Sequence, residues 1–511
     1  MTALALAPPQ VATRAGTREW AGLAVLFLPT LIVAIDNTVL GFALPAMSAA
    51  LAPTSAQLLW IVDIYPLVLA GLLVTMGNLG DRIGRRRILL LGVAGFGAVS
   101  LAAAFATDAA HLIAARALLG FFGAMLMPAT LALLRTLFVD PNQRRIAVAI
   151  WTTGFAAGAA LGPIVGGVLL EHFTWGSVFL VNVPVMLLLL VLGRPMLPES
   201  RMAEPGRLDP SGVLLSMLVM VPAVLAIKTA AHDGLSGSVV LAVMVSAGAA
   251  VLFARRARAQ IAAGQEPVLD VTLLVEPVAR LSVLSNAATM FAHTGLLFFA
   301  AQYLMLVVGL SPLDASMVLV PGFLATMATG LIAARLAKFV PLRTLVPAGL
   351  LIAAAGYVAA MLLGGEQGVT LMAVAAVLVG GGIGLAEAIT TDAVLAAVPP
   401  ERAGSASAVS ETAFEIGAVL GTAILGSVLT SVYRANVVVP SALSPEDAVV
   451  AQETLGGAAA VAHHLGGAGL LGSAREAFGV AVDVTAGVGA VVMVAVAATV
   501  WFGPRRQRAA S

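Results

Sequence analysis

Apolar runs of membrane-spanning length, each ended by a cluster of charge or of Pro and Gly, recur from residue 20 to residue 502 of this 511-residue chain. A helix crossing hydrocarbon needs about 20 apolar residues at roughly 1.5 Å rise each, with every backbone polar group satisfied inside the segment. Cutting at the breaks gives fourteen such runs, among them 20–47, 57–78, 146–170, 211–229, 237–254 and 479–502. Only 10% of the residues are charged, against about 25% in a soluble domain. The expected fold class is an all-α polytopic membrane protein.

Charge then orients the chain. With both termini placed on the cytoplasmic side, 23 of the 27 basic residues fall in cytoplasmic segments or at their helix ends. Lys228, Arg434 and Arg475 remain outside, and Arg116 falls within a helix. An odd number of spans would spoil this asymmetry in one half, so the even count and a plasma-membrane location with cytoplasmic termini are expected. The segment Met1–Arg18 has no cleavage pattern after an apolar core, so the first span is expected to direct insertion. Net charge is +1 and no basic face exists, which argues against nucleic-acid binding. There is no cysteine, which removes disulfides and thiolate chemistry. No metal cluster, nucleotide loop or nucleophile–base set is legible, so neither an enzyme nor a cofactor is expected.

The tightest of the breaks is Gly77-Asn78-Leu79-Gly80-Asp81-Arg82-Ile83-Gly84-Arg85-Arg86-Arg87. Its charges cannot lie in hydrocarbon, so the flanks must be helices joined by a very short turn whose glycines permit close backbone approach. The turn resembles the loop between helices 2 and 3 of the major facilitator superfamily. Gly77, Asp81, Arg82, Gly84 and Arg85 are accordingly assigned to conformational gating.

An ionisable group in a spanning helix costs about 2.5–3.5 kcal/mol by insertion scales and normally faces inward with a function. The candidates are Asp36, Asp63, Arg116, His293, Glu387, Asp392, Glu411, Glu415 and Asp483. Counting rise along each helix puts Asp36, Asp63 and Arg116 in one slab of the outer half. Arginine keeps its proton, so a carboxylate beside Arg116 discharges only if the arginine finds another partner. The preferred reading is a proton switch at Asp36 and Arg116; a static ion pair that fixes packing is the other. Glu411 and Glu415 are four apart and share one helix face, two to three turns from the cytoplasmic end. Like charges at that spacing repel, so one of them is expected to hold a proton at rest, at a place suited to a cationic substrate or a coupling proton. Glu387, Asp392 and Asp483 read as interfacial, and His293 as a packing residue.

Trp60 and Tyr65 flank Asp63 and are assigned with it to a wall for flat lipophilic cations. Phe121, Phe122, Met125, Met127, Phe155, Met290 and Phe298 are weaker candidates for the same wall. Gly158, Gly162, Pro163 and Gly166 give helix 5 a smooth face with a bend, and are assigned to gating. Gly380-Gly381-Gly382 and Gly384 read as helix packing. The segment 433–478 is expected to lie outside as a short helical hairpin over the mouth, starting at Ser444-Pro445-Glu446-Asp447.

Several motifs together resemble the fourteen-helix drug–proton antiporters of the same superfamily. They are Ile35-Asp36-Asn37-Thr38-Val39 with Ala43-Leu44-Pro45, Trp60-Ile61-Val62-Asp63-Ile64-Tyr65, Arg116 with Gly120 and Gly123, Gly158 through Gly167, and Ser410-Glu411 with Glu415. Gly41 departs from the helix 1 signature. Helix 10 offers only the peripheral Asp314, so the resemblance does not extend to bis-cationic substrates. It implies two six-helix bundles plus two inserted helices, arranged as tail 1–19, first bundle 20–193, linker with the inserted pair 194–280, second bundle 281–502 and tail 503–511. It also implies proton-driven export of lipophilic cations such as dyes and quaternary ammonium compounds, with fluoroquinolones a further class. Partners would be protons, these small molecules and the lipid bilayer, and the unit a monomer. Asp36, Arg116, Glu411 and Glu415 would carry proton coupling, and Trp60, Asp63, Tyr65, Glu411 and Glu415 substrate binding. A dedicated exporter of one metabolite, and a transport-inactive membrane receptor, are the competing readings.

Overall fold

The structure, a computed structural model, describes residues 15–201, 209–263, 275–337, 339–363, 368–396, 403–441, 443–465 and 468–503. The first six long helices are α1 (Thr17–Leu51), α2 (Ser55–Ile83), α3 (Arg85–Ala104), α4 (Ala109–Leu137), α5 (Pro141–His172) and α6 (Ser177–Met196). A pair follows, α7 (Pro210–Asp233) and α8 (Gly237–Ala262). Next come α9 (Pro277–Gln302), α10 (Pro312–Leu336), α11 (Leu342–Ala360), α12 (Gly368–Ala396) and α13 (Ala403–Leu420). The short α14 (Pro445–Glu453) and α15 (Leu455–Leu465) precede the last helix, α16 (Ala468–Phe502). Among the described residues thirteen helices are long and apolar enough to cross a membrane, and the expected span 146–170 falls in α5, whose described apolar stretch is Ala157–His172.

Polar caps set the starts. Thr54 and Gln57 exchange side-chain and backbone hydrogen bonds at the head of α2, Asp108 caps α4, and Ser311 caps α10. Among the described residues, α9 ends in a π turn at Tyr303–Val307, and α13 is interrupted by one at Gly421–Gly426 and runs on as Ser427–Asn436.

Helices α1 to α6 pack among themselves, as do α9 to α13 with α16, and the two bundles meet through α5 against α10 and α2 against α13. Small residues make these seams close. Gly158 backs onto the Leu31 carbonyl and Ala34 of α1, Gly162 onto Thr38 and Gly166 onto Val39, while Gly167 faces Leu313 and Ser316 of α10. Gly380, Gly382 and Gly384 of α12 likewise lie against backbone of α10 and α11. The contacts Gly167–Leu313 and Leu59–Gly426 both lie toward the end that carries α14 and α15. At the opposite end Glu411 of α13 is exposed. The bundles thus touch on the hairpin side, and α13 is open at Glu411 on the side of the arginine-rich turn.

Three stretches differ from expectation. The last span begins at Ala468 rather than 479, because Leu470, Ala474, Ala477 and Phe478 form one buried stripe continuous with the helix. The hairpin is therefore α14 and α15 alone, joined at Thr454. It bridges the bundles: Ser55 N–H donates to Glu453 at 2.7 Å, Gly456 rests on Ser48 and Pro45 of α1, and Tyr433 of α13 donates to the Ala451 carbonyl at 2.9 Å. Finally, α8 runs past 254, so Arg255, Arg256 and Arg258 are helical. Asp209, which caps α7, takes Arg256 at 2.7 Å and Gln260 at 2.7 Å, fastening the start of α7 to the end of α8. Burial opposes the Asp209 charge, but the Arg256 guanidinium, the Gly212 N–H and the Gln260 amide together hold its carboxyl below the ordinary range.

The pair α7–α8 sits at the periphery. Only 17% of the most apolar window of each is buried, as a lipid-facing hairpin requires. α7 docks on α2 and the far end of α13, through Met217, Met220, Val221, Val224, Ile227 and Lys228. These positions recur every three or four residues and so form one face.

Candidate functional site

Asp36 and Arg116 meet in the first bundle. The Arg116 guanidinium donates to Asp36 Oδ2 at 2.8 Å, and each residue is 1% exposed. The other oxygen, Oδ1, accepts from Asn182 Nδ2 at 2.9 Å, and Asn182 also donates to Ser100 at 3.1 Å. Arg116 donates to the Ile61 carbonyl at 3.2 Å and stacks over the Tyr65 ring at 4.5 Å. One guanidinium from α4 thus ties α1 to α2. If Asp36 is discharged, Arg116 keeps the Ile61 carbonyl and the Tyr65 face, so only its hold on α1 slackens.

Asp63 is not a second carboxylate competing for Arg116. Its Oδ2 lies 2.9 Å from the Lys228 ammonium of α7, with Asp63 at 0% and Lys228 at 3% exposure. The same ammonium stands 4.0 Å from the centre of the Trp60 ring. The sequence count placed Lys228 outside because it lies near a helix end. Its long stem instead returns it to the depth of Asp63. Both buried acids in this half of the molecule therefore have a base of the chain beside them. Both aromatic platforms assigned to drug cations, Trp60 and Tyr65, hold cations of the chain itself.

The other half differs. Among the described residues no base lies in ion-pair range of Glu387, Glu411 or Glu415. Glu387 and Glu415 each lie within Coulombic reach of Glu411, and Tyr65 within reach of both Asp36 and Glu415. A polar knot holds this region: Asn286 of α9 donates to Ser410 at 2.7 Å and accepts from Thr390 of α12, all three buried. Ser410 precedes Glu411, so the knot fixes where the acids point. The side chain of Asp392 lies outside the described residues. His293 packs edge-on to Phe323, with ring centres 5.4 Å apart.

The arginine-rich turn is held by a residue that motif spacing did not reveal. Arg85 pairs with Asp81 at 2.8 Å, while Glu199, after α6, accepts from Arg86 N–H at 3.2 Å. Gly84 has φ 116°, and a Cβ there would press on the Glu199 carboxylate. A Gly84→Ala variant should lose about 1–3 kcal/mol of stability, read as a lower thermal midpoint, because that backbone region is open to glycine alone. Gly77 backs onto Pro128 of α4, and Arg82 is exposed.

The weaker aromatic candidates do not gather into a wall. Phe121 is exposed, Phe122 packs on Gly95 and Met125 on Gly92 of α3, and Phe155 stacks on Trp151. Asn182, Lys228, Asn286 and Thr422 were missed, being uncharged or counted as loop residues.

Two helical bundles joined through α5–α10 and α2–α13, with charge pairs buried in the first of them, are the architecture of a multi-pass membrane transporter. The chain belongs to the Major Facilitator Superfamily, whose model matches residues 26–422. It is 49% identical to the multidrug efflux pump LfrA of Mycolicibacterium smegmatis, over 97% of this chain and 98% of that one. It is 36% identical to the methyl viologen resistance protein SmvA of Salmonella typhimurium, over 95% and 98%, and 33% identical to the tetracenomycin C resistance and export protein of Streptomyces glaucescens, over 81% and 76%. In fold it is similar to a bacterial homologue of the human lysosomal transporter Spinster in an inward-facing, unoccupied conformation. That likeness has a TM-score of 0.64 at 19% identity, covering 95% of this chain and 98% of that one.

Proposed function

We propose that this transporter is a proton-coupled antiporter that exports lipophilic cations by alternating access. The observation that carries the reading is the trio Glu387, Glu411 and Glu415, the outer two each within Coulombic reach of Glu411 and none with a described base in ion-pair range. Such acids attract either a lipophilic cation or a proton, and a ligand is moved only if it binds the two facing states differently. With the arginine-rich turn taken as cytoplasmic, the side open at Glu411 faces the cell interior. A dye or quaternary ammonium ion then enters beside Glu411 and Glu415 and moves toward Tyr65, Trp60 and Asp63. Protonation at Asp36 frees Arg116 from α1 and resets the bundles. Both bundles come from one chain, so a monomer suffices.

Ethidium efflux from cells expressing the protein tests this. Efflux should fall to the level of cells lacking the protein when an uncoupler is added; efflux that is unchanged by the uncoupler would overturn proton coupling. A second reading rests on the names of relatives that each specify one compound, a tetracenomycin C resistance and export protein and a puromycin resistance protein. A susceptibility panel showing resistance to one compound only would favour a dedicated exporter.

A further inference from the structure

The two buried charge pairs of the first bundle are built differently. Both oxygens of Asp36 receive directed hydrogen bonds from a rigid donor set. At the other pair the Lys228 ammonium lies 2.9 Å from Asp63 Oδ2, with Thr422 the other polar side chain beside that carboxylate. Charge and the Trp60 face hold the ammonium there. Arginine in a fork is a fixture, whereas lysine is a point charge on a flexible stem and is easily exchanged. A buried carboxylate beside an aromatic face is also what a lipophilic cation requires.

The exchanged ammonium has polar atoms beside it. A small crevice with room for about one water opens between α2, α7 and α13 on the hairpin side, lined among others by Ser55, Lys228, Ser427 and Arg434. Ser427 Oγ is buried there with no hydrogen-bond partner among the described residues. The Arg434 charge is offset by Glu453 at 3.8 Å. The Ser427 hydroxyl can thus accept from an ammonium that swings off Asp63. α7 otherwise offers lipid-facing side and apolar docking residues, so Lys228 is the chemistry that the inserted pair brings to the seam.

We infer that Lys228 is a tethered stand-in for substrate: it occupies the Trp60–Asp63 cage when no drug is bound, and an exported cation must displace it. This rests on the proposed export of lipophilic cations. The inserted pair α7–α8 thereby sets the affinity of the transporter.

The test is ethidium binding to purified full-length protein in nanodiscs, read by fluorescence anisotropy. Lys228→Gln should tighten binding roughly tenfold, since the dye no longer competes with a built-in cation for a desolvated cage. Lys228→Arg, which keeps the charge, should bind like wild type, and the gain should vanish in Lys228→Gln/Asp63→Asn. Lys228→Met repeats the measurement in case the glutamine variant does not fold. Affinity unchanged or weakened in both neutral variants, while wild type still exports ethidium in the cell assay, overturns the stand-in but not the antiporter. Failure of wild type to export ethidium at all overturns the cation reading first, and the stand-in with it.

Discussion

In everted membrane vesicles, Asp36→Asn is expected to abolish the proton movement that ethidium elicits from the wild type. Asparagine fills the same space and still accepts from Asn182, but it can neither discharge nor recharge. Arg116 would then hold its remaining partners, the Ile61 carbonyl and the Tyr65 face, in every state. The exchange signal should fall to that of vesicles without the protein, whereas Asp36→Glu should retain part of it. Removing one member of a buried pair leaves the other uncompensated, at a cost of about 3–5 kcal/mol. The thermal midpoint must therefore be recorded beside the transport. A variant that is folded, and moves as many protons as wild type, rules out Asp36 as the coupling group.

The Asp36 prediction touches the rest of the site because α2 is in contact with both charge pairs. Arg116 grips α2 at Ile61 and Tyr65, and Lys228 grips it at Trp60 and Asp63. The six residues from Trp60 to Tyr65 thus lie between the proposed proton site and the proposed cation cage. On the other flank, Thr422 in the π turn of α13 stands beside Asp63. π turns are often found at functional sites, where the extra residue re-aims side chains. A change at Asp36 can therefore reach the cage through one short stretch of helix.

How much of this was legible in the chain depends on what kind of signal each part leaves. Hydrocarbon imposes a length and a composition, so the long helices and the charged turn could be read directly. Asp36 and Arg116 could be paired because rise per residue fixes depth, and each is rare enough in a span to need a partner. Lys228 escaped because depth counting is weakest near helix ends, where a stem of four methylenes shifts a charge by most of a turn. Asn182 and Asn286 escaped because, inside expected spans, only ionisable groups stand out, and an uncharged amide becomes costly only where it is buried without partners. Glu199 lies more than a hundred residues from the turn it braces, and no local pattern joins them. The start of α16 was misplaced because an alanine-rich helix and an alanine-rich loop have the same composition until the buried stripe is seen.

Neutralising both acids of α13 should produce the second large effect. Glu411→Gln/Glu415→Gln is expected to weaken ethidium binding roughly 10- to 100-fold, which corresponds to about 1.4–2.8 kcal/mol. The charges removed stand one helical turn apart with no described base to answer them, so a cation loses its main attraction at the entrance. The sign of the pH effect follows from competition. Protons discharge these acids, hence wild-type affinity should fall as pH is lowered, and the double variant should bind with little dependence on pH. A neutral lipophilic compound should bind both forms alike, which separates lost attraction from lost fold. Equal ethidium affinity in the double variant and the wild type would remove these glutamates from the binding path and return the whole of cation recognition to Trp60 and Asp63.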